Sequence, residues 1–334
     1  MLLIPDFDLS THNTLALRAR SRFGARLETP EAVPALFAEA EARGLAVRLL
    51  GSGSNVVLSP DFDGITALMT MTGRAILGED ETGVLIEAAA GETWHDLVAW
   101  SVGQGLGGLE NLAGIPGTAG AAPVQNIGAY GAELADSFDS LLAFDRAEGE
   151  MRRLARAEMA FGYRDSLLKQ LPGRFVVVSL RLRLPRPWQP NLRFAGLADL
   201  ADSGGLTPAR VMERVVGLRK SKLPDWRTHP NAGSFFKNPV VGPAEAVPIL
   251  AEFPDAPAFP QPGGLVKLSA GWLIEQSGLK GFRLGPVGIS ERHALVVVNH
   301  GRGSADDIAA LAGHVRAVVA DRFGITLSEE PVFL

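Results

Sequence analysis

The 334-residue chain contains no cysteine. That removes disulfides, thiolate metal sites and cysteine nucleophiles together, and it fits a reducing compartment. It also lacks a basic excess. Its 32 Lys and Arg against 37 Asp and Glu give a formal charge of -5, which argues against non-specific nucleic-acid binding. No apolar run approaches the length of a membrane span. Residues 1–10 carry Asp6 and Asp8, with no basic segment leading into a signal-like apolar core. No membrane insertion is expected, and a cytoplasmic location is. None of the six histidines stands at a zinc-like spacing to glutamate, so no metal is expected. Internal repeats and low-complexity tracts are absent.

What remains is an ordinary globular composition, 46% hydrophobic, with a mean hydropathy of +0.13. The length allows two or three domains and a large core. Many of the 38 glycines fall in two clusters. The first, Gly51-Ser52-Gly53-Ser54-Asn55, follows the apolar strand pattern Ala46–Leu50. Glycines let backbone N–H groups approach phosphate oxygens, and the serines and Asn55 add donors. A tight strand-to-strand turn would look the same. The second runs from Gly114 to Gly131 and includes Gly117, Gly120, Gln125, Asn126 and Gly128. It is long for a structureless loop and has small residues, two amides and no charge. Two such loops, neither followed by a clean Rossmann helix, suggest a dinucleotide held outside a Rossmann fold.

Helical spacing with start and stop signals predicts helices over residues 31–43, 93–103, 207–218, 244–253, 270–277 and 304–323. Thr93 is the expected cap of the second, and Asp306-Asp307 suits the first turn of the last. Strands are expected at 46–50, 56–58, 83–91, 141–144, 151–154, 174–184 and 293–299, with an extended tail from Ile325.

Three further stretches carry candidate chemistry. Asn231-Ala232-Gly233-Ser234-Phe235-Phe236-Lys237-Asn238-Pro239 places a hydroxyl between two small residues and two aromatic anchors. Lys237 and Asn238 follow directly, and Lys222 stands upstream before Leu223-Pro224-Asp225. This pattern suits an anionic ligand and a proton delivered to it, although a polar hairpin loop shares the composition. Tyr163-Arg164-Asp165 offers a two-pronged guanidinium for a carboxylate, or a plain surface ion pair. Glu329 and Glu330, in the apolar tail, point to opposite faces if that tail is a strand, so one could turn inward. His293 is expected at a strand start, as a structural or substrate hydrogen-bonder.

In combination these motifs resemble the UDP-N-acetylenolpyruvoylglucosamine reductase family, flavoenzymes of bacterial cell-wall synthesis, over nearly the whole chain. The motifs are Leu50–Asn55, Ile115–Gly131, Gly162–Ser166, Lys222–Pro224 and Asn231–Pro239. The resemblance implies an α+β fold: a two-part FAD-binding module of the vanillyl-alcohol-oxidase type plus a third, substrate-binding domain. The boundaries would be 1–72 and 73–222 for the FAD-binding subdomains and 223–325 for the substrate domain. Residues 326–334 would return to the active site. It implies non-covalent FAD, NADPH as hydride donor and enolpyruvyl UDP-N-acetylglucosamine as substrate, in a protein expected to be a monomer.

By motif, Ser234 looks like the proton donor to the substrate carbon. Arg164 and Glu330 resemble the pair that stabilises the enolate. Tyr163, Lys222, Asn238 and His293 match substrate-binding positions, and Gly51–Asn55, Gly117, Gly120, Gln125, Asn126 and Gly128 match cofactor-binding ones. Two departures stand out. Phe194 occupies a place where relatives with a substrate-covering loop carry tyrosine. The tail reads Ser328-Glu329-Glu330-Pro331-Val332, where spacing from Gly324 favours Glu330 and leaves Glu329 as the alternative. Another flavin oxidase on the same scaffold would lack the Asn231–Pro239 stretch, and a non-catalytic binding module would not need Ser234, Arg164 and a tail glutamate together.

Overall fold

The structure is a computed structural model that describes residues 2–202 and 204–334. The chain forms two compact units. The first takes the residues up to Phe7, Ser21–Ser52 and Asp63–Ser221; the second takes Asp8–Arg20, Gly53–Phe62 and Lys222–Leu334.

The first unit holds two sheets. In the smaller, strands Ile4–Asp8, Arg20–Leu27, Asp61–Met69 and Ala46–Leu50 lie in that spatial order, the last two parallel. Helix Ala32–Arg43 buries Val33, Leu36 and Ala40 and stops at Gly44, whose φ of 65° is the left-handed C-cap that glycine favours. The larger, antiparallel sheet is ordered Glu150–Ala155, Phe138–Asp145, Phe175–Leu184, Gly83–Ala89, Arg74–Asp80. Helices Trp94–Gly103 and Pro208–Lys222 contribute buried side chains to the same unit's main core, Trp94, Leu97 and Val98 from one and Val211 and Val215 from the other. Thr93 takes the N-cap position of its helix, but its side chain makes no capping bond.

The second unit packs helix Ala305–Phe323 with strands Val287–Ile289 and Val296–Asn299 in one core. The helix opens on a reciprocal capping box. Ser304 Oγ accepts from the Asp307 N–H, and Asp307 accepts from the Ser304 N–H at 2.8 Å. It closes at Gly324 with φ 68°. Val56-Val57 pairs in parallel with the tail strand Val332-Phe333, so it is a platform for the C-terminus and not a continuation of the first strand.

Among the strands that lacked a sequence signal are Ile4–Asp8, Asp61–Met69, Arg74–Asp80 and Val287–Ile289. The expected buried strand 293–299 begins only at Val296. His293 sits in the turn before it, where its carbonyl accepts from the Val296 N–H at 3.0 Å.

Candidate active site

In the second unit, Asn231–Ser234 is a strand and not the loop its composition suggested. It pairs with Val296–Asn299, with a register shift between Asn231 and Ser234. The shift has a local cause. Gly233 adopts φ 72°, and its N–H donates to Asn231 Oδ1 at 2.9 Å. Such a bulge re-aims the next side chain, here Ser234. Phe235 and Phe236, 0% and 1% exposed, fix the following residues in the core and meet edge to face at 5.3 Å.

The tail is zipped to this strand. The Lys237 N–H donates to the Ser328 carbonyl at 2.9 Å, and the Glu330 N–H donates to the Phe235 carbonyl at 2.8 Å. Asn55 Nδ2 donates to the Glu330 carbonyl at 3.3 Å. Glu330 is thereby registered opposite Phe235, the residue after Ser234. Glu329 instead pairs with Arg316 on the last long helix at 3.3 Å. Asn238 accepts from the Ala270 N–H at 3.0 Å, at the start of helix Ala270–Gln276. Burial and the charges of Lys222 and Lys280 pull His293 below the usual histidine range, with Glu275 opposing. Lys222 and His293 therefore belong to one basic corner. Gly53 needs its missing side chain, because a Cβ there would lie 2.0 Å from the His12 carbonyl oxygen.

In the first unit, Gly51 meets the second glycine cluster. A Cβ at 51 would stand 2.6 Å from Thr118 Oγ1. Gly120 lies against Ala90, where a Cβ would approach to 2.5 Å, so strand packing alone accounts for a glycine there. Asn126 is 1% exposed. Its Oδ1 accepts from the Ala135 N–H, and its Nδ2 donates to Glu133 and to the Gly162 carbonyl, at 2.9, 2.8 and 3.1 Å. This amide ties the glycine-rich tract to Gly162–Ser166. Arg164 Nη2 reaches the Gly128 carbonyl at 2.8 Å, and the guanidinium stands 5.4 Å from the Tyr163 ring centre. Ser166 Oγ donates to the Val124 carbonyl at 2.6 Å. Gly117 holds a φ of 141° and accepts from the Trp94 N–H at 3.0 Å.

Sequence reasoning passed over Asn111, Tyr130, Glu133 and Arg219. Arg219 is half-buried, which lowers its pKa, and its Nε donates to the Gly114 carbonyl at 3.1 Å. Burial likewise raises the Tyr130 phenol. The only advance signal for Arg219 was its place three residues before Lys222.

The donor set suits a dinucleotide. The tract carries no acidic side chain from 114 to 131, so nothing there repels a pyrophosphate. The Gly51–Thr118 approach also joins the two glycine loops through the one unit. Residues 23–155 match the family described as FAD binding domain, and residues 225–334 match the C-terminal domain of UDP-N-acetylenolpyruvoylglucosamine reductase. The chain is thus an FAD-containing oxidoreductase.

Curated relatives are similar along the full length. The UDP-N-acetylenolpyruvoylglucosamine reductase of Burkholderia vietnamiensis is 46% identical, covering 99% of this chain and 97% of its own. That of Azoarcus sp. is 49% identical, covering 100% and 98%. The crystal structure of the Thermus caldophilus enzyme (MurB) aligns over 100% of both chains, with a TM-score of 0.67 at 27% identity. The chain belongs to the UDP-N-acetylenolpyruvoylglucosamine reductase family. Among the described residues, no helix is long and apolar enough to cross a membrane, and no three His, Cys, Asp or Glu gather as metal ligands.

Proposed function

We propose that the protein reduces the enolpyruvyl ether of UDP-N-acetylglucosamine to UDP-N-acetylmuramate, with NADPH as hydride donor, in the synthesis of peptidoglycan precursors. On the chain's own geometry, the observation that carries this proposal is the bond from the Glu330 N–H to the Phe235 carbonyl, 2.8 Å. It holds the tail that carries Glu330 against the segment that carries Ser234, which supports a joint role for the two.

Gly51, Ser52, Gly53, Ser54, Asn55, Gly117, Gly120, Gln125, Asn126 and Gly128 would hold FAD, which when bound supplies the two-electron relay between nicotinamide and sugar nucleotide. Ser234 delivers the proton to the substrate carbon once hydride has reached its neighbour. A hydroxyl is a weak acid, but an enolate needs only a close, aligned donor. Arg164 offers fixed positive donors to the substrate carboxylate, on which charge builds in the transition state. Glu330 is its partner in stabilising the enolate. Glu329 is unsuited to that role because Arg316 engages it. Lys222, Tyr163, Asn238 and His293 bind the sugar nucleotide, Lys222 as a point charge on phosphate.

The domain division proposed with this function is 1–72 and 73–222 for FAD, 223–325 for substrate, and 326–334 as the returning segment. The protein is proposed to act in the cytoplasm as a monomer.

The test is direct. Purified protein should be yellow, and should release its chromophore into the supernatant on acid precipitation. It should turn over NADPH catalytically only when enolpyruvyl UDP-N-acetylglucosamine is present, NADPH alone bleaching the bound flavin once. A yellow protein that turns over NADPH with simple alcohols or sugars, and not with this substrate, would overturn the assignment.

A further inference from the structure

Within the first unit, the stretch from Trp188 to Leu197 is held to the glycine-rich tract by an unusual set of bonds. Asn111 is 3% exposed, and its side-chain Nδ2 is fully used: it donates to the Tyr130 carbonyl and to the Asn191 carbonyl, both at 2.8 Å. Asn191 answers by donating from its own Nδ2 to the Gly131 carbonyl at 2.8 Å. One residue earlier, Glu110 is 1% exposed. It accepts from Trp188 Nε1 at 2.7 Å and from the Gly108 N–H at 2.5 Å. The Trp188 ring lies so close to Gly107 that a Cβ there would stand 2.2 Å from it. Phe194 completes the set, meeting Tyr130 edge to face at 4.9 Å. Tyr130 itself holds φ 50°, a conformation that a tyrosine keeps only when its surroundings over-determine it.

We propose that Asn111 and Glu110 are positioning residues that fasten residues 188–197 to the tract before substrate arrives. The sugar nucleotide then meets a preformed wall and not a loop it must order. This rests on the substrate reading above. The physical gain is in binding: a segment already ordered does not charge its ordering entropy to the ligand. The two buried side chains suit that work. A carboxamide facing two carbonyls satisfies both only through its NH₂, and a buried carboxylate needs the donors it has here. The clamp also accounts for Phe194: a phenylalanine packed on Tyr130 secures the stretch by contact, so a hydroxyl at 194 is not needed to hold it.

Asn111→Asp keeps the shape and removes both donors, turning two bonds into two acceptor–acceptor contacts. On the FAD-loaded enzyme it should raise the KM for the sugar nucleotide about 10- to 100-fold, the range for losing one or two buried hydrogen bonds, with kcat changed less than about threefold. FAD content and the rate of flavin bleaching by NADPH alone should be unchanged. Tryptic cleavage at Arg193 should accelerate at least about tenfold, since release of the segment exposes it to protease. Trp188→Phe removes the bond to Glu110 together with the indole edge that lies on Gly107, leaves the Asn111 bonds in place, and should shift both readouts the same way by a smaller factor. It serves if Asn111→Asp fails to fold.

Faster cleavage together with a raised KM supports the clamp. Unchanged cleavage in folded Asn111→Asp or Trp188→Phe overturns it, as does a fall in kcat with KM unmoved. Cleavage is read without substrate. A wild-type protein that ignores the enolpyruvyl sugar nucleotide therefore refutes the substrate assignment and leaves the clamp to be judged on proteolysis.

Discussion

Two adjacent tail glutamates give the sharpest test of the proposed chemistry, because their surroundings differ in a way that fixes the expected sizes. Glu329 pairs with Arg316 at 3.3 Å, with side chains 22% and 46% exposed. An ion pair this open to solvent contributes about 0–1 kcal/mol. Glu329→Gln should therefore cost about 1 kcal/mol of stability at most and leave turnover within about twofold, the ordinary scale of a surface change outside the reacting groups. Glu330 is held by its main chain, through the Phe235 carbonyl and Asn55 Nδ2. Those bonds survive Glu330→Gln, which also keeps the side-chain volume. Its melting in urea should match wild type, while turnover falls about 10²- to 10⁴-fold, the range for loss of a positioned charged or proton-transferring group. The assay is NADPH oxidation at saturating enolpyruvyl substrate, with a urea melt on the same preparations. Equal losses in the two variants would refute the assignment of Glu330, and so would near-normal turnover in Glu330→Gln.

Further outcomes are expected at three other residues. Ser234→Ala should keep its FAD and bleach normally with NADPH alone, while flavin reoxidation by the enolpyruvyl substrate slows about 10²-fold or more; equal slowing of both half-reactions in stopped flow would make Ser234 structural. Lys222→Ala should raise the sugar-nucleotide KM with little change in flavin reduction, and an unaltered KM would remove its phosphate role. His293 titrates below its ordinary value in the folded state, so between the two values the unfolded chain binds more protons and stability falls as pH drops through about 6.5. His300 is shifted the same way, so urea midpoints from pH 7.5 to 5 should fall less steeply in His293→Gln than in wild type. Parallel curves would rule out a contribution from His293.

The parts of the fold legible in the sequence were those where local rules and burial agree. Helix Ala305–Phe323 announced itself through Ser304, Asp307 and Gly324, each of which makes the cap its type favours. Strand Arg74–Asp80 gave no sign because all seven of its residues are exposed at a sheet edge, and without a buried face there is no alternation to read. Asp61–Met69 fails for the opposite reason: Gly64 to Leu68 are buried without interruption, and a continuous apolar run has no period. Ser234 was found by residue type but placed on a loop, because Gly233 marks a turn and a strand bulge with the same letter. Asn111 and Arg219 were invisible for want of locality. Asn111 finds a partner 80 residues away and Arg219 one 105 away, and no window along the chain can see such pairs.

Backbone strain points to the same stretches as the motifs, on independent grounds. Seven non-glycine residues among those described hold a positive φ, and three of them are Asn126, Tyr130 and Arg164. Each such residue costs on the order of 1–3 kcal/mol, and glycine would remove the cost at any of them. The chain instead places an amide, a phenol and a guanidinium there, and surrounds each with bonds that hold the strained form. Asn126 is fixed by the Ala135 N–H, Glu133 and Gly162, Tyr130 by Asn111, and Arg164 by the Gly128 carbonyl together with Lys169 Nζ on its own carbonyl. Asn126 uses its side chain to knit the tract, so structure alone explains it. Tyr130 also packs its ring edge to face on Phe194, and the Arg164 guanidinium stands near the Tyr163 ring. A bulky cation held in a strained backbone suits the carboxylate-binding role proposed for Arg164.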